Sequence, residues 1–175
     1  MDLPFSQISK EKDNYSSVNI ISRLIEGVGY RYYWASNNLR LEDLNFKPSP
    51  NSISTYQTLE HIYVLSLTVK NTLLNKINIR PPDNIPKSYD DLRKKTLKNL
   101  ELFNKNILKE NEIDLNMFKI IFERNDFKSS FPFWNLLNGP IADIIYHTGQ
   151  IVSFRRSSGN PINKGVNVFL GRTKK

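Results

Sequence analysis

Apolar residues recur at three- and four-residue steps over four stretches of this chain, separated by proline- and serine-bearing breaks. The first stretch begins at a Ser16-Ser17 cap and carries Ile21, Leu24, Ile25, Val28, Tyr32, Ala35 and Leu39. That spacing is one face of a 3.6-residue period. Pro48 and Pro50 close the loop behind it. A second cap falls at Ser52 or Ser54, and Leu59, Ile62, Leu65, Val69, Leu73 and Ile77 follow on one face until Arg80-Pro81-Pro82 stops the helix. Ser88, with Asp91 three residues on, forms a variant capping box for a third helix bearing Leu92, Thr96, Leu100, Phe103 and Ile107. The last apolar stretch runs from Phe133 to Phe154 across Asn138-Gly139-Pro140. Proline either kinks a helix or starts one, so regular helix is predicted from Pro140 to Arg156, ending near Gly159 and Pro161.

Four amphipathic segments of about 17–25 residues predict an all-α four-helix bundle. Residues 112–131 stay open: Phe118–Phe122 reads as a short strand or a helical turn, and Asn125-Asp126 suits a turn. The polar stretch 1–15 reads as a flexible arm, 16–160 as the bundle, and 161–175 as a basic tail.

Composition narrows the chemistry. The chain has 175 residues, enough for one domain, and its ten Phe, eight Tyr and two Trp supply the area for a core. It has no cysteine, which excludes disulfides, thiolate zinc sites, iron–sulfur clusters and a cysteine nucleophile. Any metal must therefore be held by His, Asp, Glu or backbone oxygen, and there are only two His.

The net charge of +8 invites a nucleic-acid reading until its distribution is examined. Six of the 25 cations (Arg155, Arg156, Lys164, Arg172, Lys174 and Lys175) follow Asp143, and no acidic residue does. The remaining 19 nearly balance the 17 acids. A nucleic-acid role beyond weak, non-specific attraction is not expected. The start, Met1-Asp2-Leu3-Pro4-Phe5, lacks a basic n-region and an apolar h-region, and no apolar run nears the ~20 residues of a membrane span. A cytoplasmic protein with no membrane association is the expectation.

Asp143 and His147 lie four residues apart in the last helix, so both project from one face. His61 sits at the edge of the second helix's apolar face. Facing helices of a bundle can bring the three together, and two His with one carboxylate is a ligand set for Zn²⁺ and non-haem Fe²⁺. The competing reading is a satisfied core histidine, with Asp143 accepting from its ring, from Arg155 or from Tyr146.

Leu59-Glu60-His61-Ile62, Gly139-Pro140-Ile141-Ala142-Asp143, His147-Thr148-Gly149-Gln150-Ile151-Val152 and Arg155-Arg156 together resemble the DinB/YfiT-like superfamily over residues 17–160. The resemblance implies a bundle with an up-up-down-down connection. It also implies a divalent metal (Zn, Ni or Fe) on three His, the latter two spaced H-x-x-x-H. His61 matches the first ligand and His147 the third, while Asp143 stands where the middle His is expected. The implied activity is that of a metal-dependent enzyme: a thiol-dependent S-transferase using a low-molecular-weight thiol, or a hydrolase, acting on a small electrophile. The alternative is a non-catalytic bundle, ligand-binding or stress-associated, with a degenerate site.

Other side chains read as structural. Gly149 is expected to allow close helix approach, Gln150 to bond across the bundle, and Tyr30, Tyr33 and Trp34 to belong to the core. Arg155 and Arg156 are expected at a solvated helix end that favours cations. A homodimer is expected from the apolar Phe131, Phe133 and Trp134.

Overall fold

The computed structural model describes residues 2–109 and 112–174. Four long helices dominate: α1 (Ser17–Ala35), α3 (Thr55–Leu73), α4 (Tyr89–Ile107) and α6 (Ala142–Ser157). Two short helices, α2 (Leu41–Asn45) and α5 (Trp134–Leu136), lie in the connections. The serines read as caps act as caps. Ser16, Ser54 and Ser88 accept from the backbone N–H of Asn19, Gln57 and Asp91, satisfying donors that a helix start leaves unpaired. Gln57 answers from its side chain to Ser54 N–H at 2.8 Å, completing a capping box.

The buried stripes form one core: Val18, Ile21, Ile25, Val28 and Tyr32 from α1, Leu59, Ile62 and Val69 from α3, Leu92, Leu100 and Phe103 from α4, and Ile144 and Ile151 from α6. Each of α1 and α3 packs on both α4 and α6. The ring of neighbours is therefore α1–α4–α3–α6, with α1 and α3 on one diagonal. Consecutive helices on a diagonal need a long crossover, and 36–54 and 108–141 supply two.

The fold is not purely helical. α3 does not run through Ile77 to the prolines; it ends at Leu73 in a Schellman turn. Lys76 N–H bonds Asn71 O at 2.9 Å, Asn75 N–H bonds Thr72 O at 3.2 Å, and Asn75 takes the left-handed φ of 49°. The chain then enters a strand, β1 (Ile77–Ile79), parallel to β2 (Lys119–Arg124), which pairs antiparallel with β3 (Phe127–Pro132). The open segment 112–131 thus resolves into a 3₁₀ turn (Leu115–Met117) and most of this hairpin. Asn125 and Asp126, both at positive φ, form its two-residue turn.

Both ends of the chain are held to the bundle. Phe5 lies over Gly29 of α1, where a Cβ would overlap its ring. Trp34 Nε1 donates to Ser6 O at 3.1 Å, and Ile8 N–H to Gly171 O at 2.9 Å. Gly171 belongs to a small hairpin of β4 (Val166–Asn167) and β5 (Arg172–Thr173), fixed also by Tyr30 Oη to Thr173 Oγ1 at 2.9 Å. The stretches expected as a flexible arm and a basic tail therefore pack on α1 and on each other. Met1 and Lys175, their outermost residues, lie outside the described part. No described helix is long and apolar enough to cross a membrane.

Candidate metal centre

A π-type turn (Leu137–Ile141) precedes α6, with Gly139 at the non-helical φ −96°, ψ −106° and Pro140 inside it. Proline cannot donate to the helical ladder, and the widened turn absorbs the missing bond. This turn packs on α3, as does α6 itself, so the start of α6 is set against the helix that carries His61. Asp143 falls in the first turn of α6, where the helix dipole favours a carboxylate.

Asp143 stands between the two histidines. His61 Nε2 lies 3.3 Å from Asp143 Oδ2, and His147 Nε2 lies 3.3 Å from Asp143 Oδ1. The imidazoles meet edge to face, centroids 4.6 Å apart. One ligand atom from each residue falls within 4.8 Å of the other two. The side chains of His61 and Asp143 are 45% and 40% exposed, that of His147 only 15%.

These distances are long for charge-assisted hydrogen bonds, which run about 2.7–2.9 Å. The two contacts use different carboxylate oxygens, and the three ligand atoms lie close enough together to converge on one cation.

A fourth residue holds the ring: His147 Nδ1 is 2.7 Å from Gln150 Oε1, and with that amide oxygen as acceptor the Nδ1 carries the proton. In a neutral His147 the Nε2 lone pair then faces a carboxylate oxygen, a repulsive contact. Only a second ring proton or a cation between the two makes it attractive. An Nδ1–H held by an amide oxygen is also the outer-shell support that orients ligating histidines. The chemistry of the donor set, two imidazoles and one carboxylate within reach of one another, fits a divalent ion.

Comparison with protein-family models, curated proteins and solved structures returns no significant match. The fold and the cluster stand on their own geometry. The chain is a helical domain with a His/His/Asp cluster able to hold a metal.

Several side chains depart from their expected places. Gln150 bonds within its own helix rather than across the bundle, so its role at His147 was missed in the sequence. The i, i+3 spacing was the available signal. Gly149 allows no close approach, since a Cβ there would meet open space. Phe133 is core rather than surface, while Phe131 and Trp134 are exposed. Tyr30 is core as expected, whereas Tyr33 and Trp34 are only partly covered.

Arg155 is neither solvated nor a partner of Asp143. It is buried, and donates from Nη1 to the carbonyls of Trp34, Ala35 and Asn37 at 2.9–3.1 Å and from Nε to Asn160 O at 2.6 Å. It thereby caps the end of α1. Beside it lies Asp43, fully buried. Arg40 pairs with it through Nε at 3.1 Å and Nη2 at 2.9 Å, and Ser158 Oγ and Asn160 Nδ2 donate at 2.6 Å each. Burial pushes the Asp43 carboxyl up, but these donors outweigh it and hold the group well below the usual carboxylate range. This network locks α2 and the end of α6 to the bundle at a place separate from the histidines.

Proposed function

We propose that this protein is a divalent-metal-dependent enzyme of the DinB/YfiT-like kind, with His61, Asp143 and His147 as its protein ligands. The observation that carries the reading is the convergence of His61 Nε2 and His147 Nε2 on the Asp143 carboxylate, each at 3.3 Å, with Gln150 against the far nitrogen of His147. The neighbour ring α1–α4–α3–α6, with its two crossovers, supports the up-up-down-down connection the resemblance implies.

A divalent ion supplies a Lewis acid there, lowering the pKa of a water or thiol toward neutrality. The protein's part is to hold two neutral imidazoles and one carboxylate on helices that cannot drift apart, and to keep His147 in one tautomer through Gln150. The exposed side of His61 leaves room for a small electrophile and for a low-molecular-weight thiol supplied from solution, since the chain has no thiol of its own. In the S-transfer reading the thiol sulfur bonds the electrophilic carbon, a halide leaves, and the thiol proton passes to solvent.

The same exposure favours a second reading, a non-catalytic bundle whose site is degenerate. Water around His61 and Asp143 weakens any electrostatic stabilisation. Conjugation of a small thiol to 1-chloro-2,4-dinitrobenzene by Zn-, Ni- or Fe-loaded protein separates the two. Turnover lost in both His61→Ala and His147→Ala supports the enzyme. Binding of metal with no turnover of thiol or ester substrates supports the scaffold. Pairing of two copies, cytoplasmic placement and only weak polyanion attraction remain part of the proposal. Light scattering reads the first: a dimer is expected, and a monomer at micromolar concentration contradicts it.

A further inference from the structure

One face of the β1–β2–β3 sheet starts in the core and continues past it. Ile120 is buried beneath α3, Phe122 two residues on is half-covered, and Arg124 is exposed. The pairings Phe122↔Ser129, Arg124↔Phe127 and Ile120↔Phe131 put Phe127, Ser129 and Phe131 on this same face, because side chains alternate along a strand. With Arg80, just beyond β1, these residues line a groove of about 430 Å³. That volume is in the range of small-molecule sites, about 300–1,000 Å³.

The groove is cationic and aromatic. The Arg80 guanidinium lies over the Phe122 ring, 5.1 Å from its centroid, and donates to Thr68 Oγ1 at 2.7 Å. It is thus held in place rather than free to follow solvent. Phe122 and Phe131 meet edge to face at 6.1 Å. Phe127 is 74% exposed. Neither Arg80 nor Arg124 has a carboxylate partner among the described residues; Glu123, their acidic neighbour, pairs with Lys128 on the opposite face at 3.2 Å. Arg80 is pushed down from the usual arginine range by burial and then by the charge of Arg124. Two guanidiniums that line one groove, neither with a carboxylate partner among the described residues, present planar cationic forks to an anion.

We propose that this groove binds a small aromatic anion, a planar ring carrying a phosphate or carboxylate, with the anion between Arg80 and Arg124 and the ring against Phe127 and Phe131. Guanidiniums match both anions as planar forks, and an exposed phenylalanine on a sheet offers a stacking platform to any planar ring. The site shares no residue with His61, Asp143 and His147, and does not depend on the metal reading.

Titration of the full chain in EDTA, followed by NMR of backbone amides in residues 119–131, tests it with 5′-AMP, benzoate, adenosine and inorganic phosphate as probes. EDTA removes any metal that could take the phosphate at the histidines. Saturable shifts with 5′-AMP or benzoate, and at least tenfold weaker ones with adenosine and phosphate, are expected; which of the two binds tighter tells a nucleotide source from an aryl carboxylate. Arg124→Ala and Phe127→Ala, both exposed and so compatible with folding, should each weaken binding about tenfold. No saturable shift up to about 5 mM of either anion, or wild-type affinity in both variants, overturns the proposal. So does a dT10 oligonucleotide binding a hundredfold tighter than 5′-AMP, which would make the groove a single-strand platform.

Discussion

Gln150, three residues further along α6, sets its amide oxygen 2.7 Å from His147 Nδ1, where it accepts a hydrogen bond from the ring. That bond does what the bundle core does not: it chooses which ring nitrogen faces Asp143. Gln150→Ala should leave the fold intact and reduce metal affinity about 10–100-fold. Gln150→Glu, which keeps an acceptor, should retain most of it. Competition against a chromophoric chelator measures both, and equal affinity in all three proteins would remove Gln150 from the site.

Asp143 separates ligation from a structural pairing. It is partly exposed between two imidazoles, not on an apolar face, so the metal-free Asp143→Ala protein should match wild type in stability within about 0.5 kcal/mol. Bound metal should fall steeply in Asp143→Ala. Asp143→His should keep or raise it by restoring three imidazoles. A lower melting midpoint with unchanged metal content would make Asp143 a structural partner only.

The Asp43 network gives the fold a dependence on acid. Its carboxyl is held below its unfolded value, so its contribution is complete above the unfolded pKa of about 4 and is lost as pH falls through the lower folded value. Thermal melts from pH 6 to pH 2 should show the midpoint falling below about pH 4, with a shallower fall in Asp43→Asn. At neutral pH that variant should be less stable by about 2–4 kcal/mol, because buried donors lose their charged acceptor.

The N-terminal segment should come loose when its seat is filled. Gly29→Ala puts a methyl group where the Phe5 ring lies, at a cost of about 1–3 kcal/mol unless the segment moves. Limited proteolysis should cut residues 2–15 faster in that variant, with α1 intact. Equal cutting rates would show that Phe5 contributes little.

Much of this was legible in the sequence, and the failures share a cause. Ser16, Ser54 and Ser88 are local signals, and each opens its helix as read. The i, i+4 spacing of Asp143 and His147 is local too, whereas His61 joins them only on the expectation that facing helices of a bundle meet, which the family resemblance then strengthens. What was misjudged depends on partners far along the chain. Ile77 keeps the helical period, yet it pairs with Ile121 in a sheet. Arg155 sits at a helix end, a position usually bathed in water, but three of its four acceptors lie about 120 residues earlier. Asp43 draws two of its donors from Ser158 and Asn160. Gly149 was assigned to packing by type, and only the placement of α6 shows that it faces open space.

On the proposed reading, His61, Asp143 and His147 hold a divalent metal. Elemental analysis of protein purified without a metal-affinity tag, before and after reconstitution, tests it most directly. About one equivalent of Zn, Ni or Fe per chain is expected, lost in both His61→Ala and His147→Ala while their helical content is unchanged. Less than about 0.1 equivalent after reconstitution, or equal metal in wild type and both variants, would contradict it.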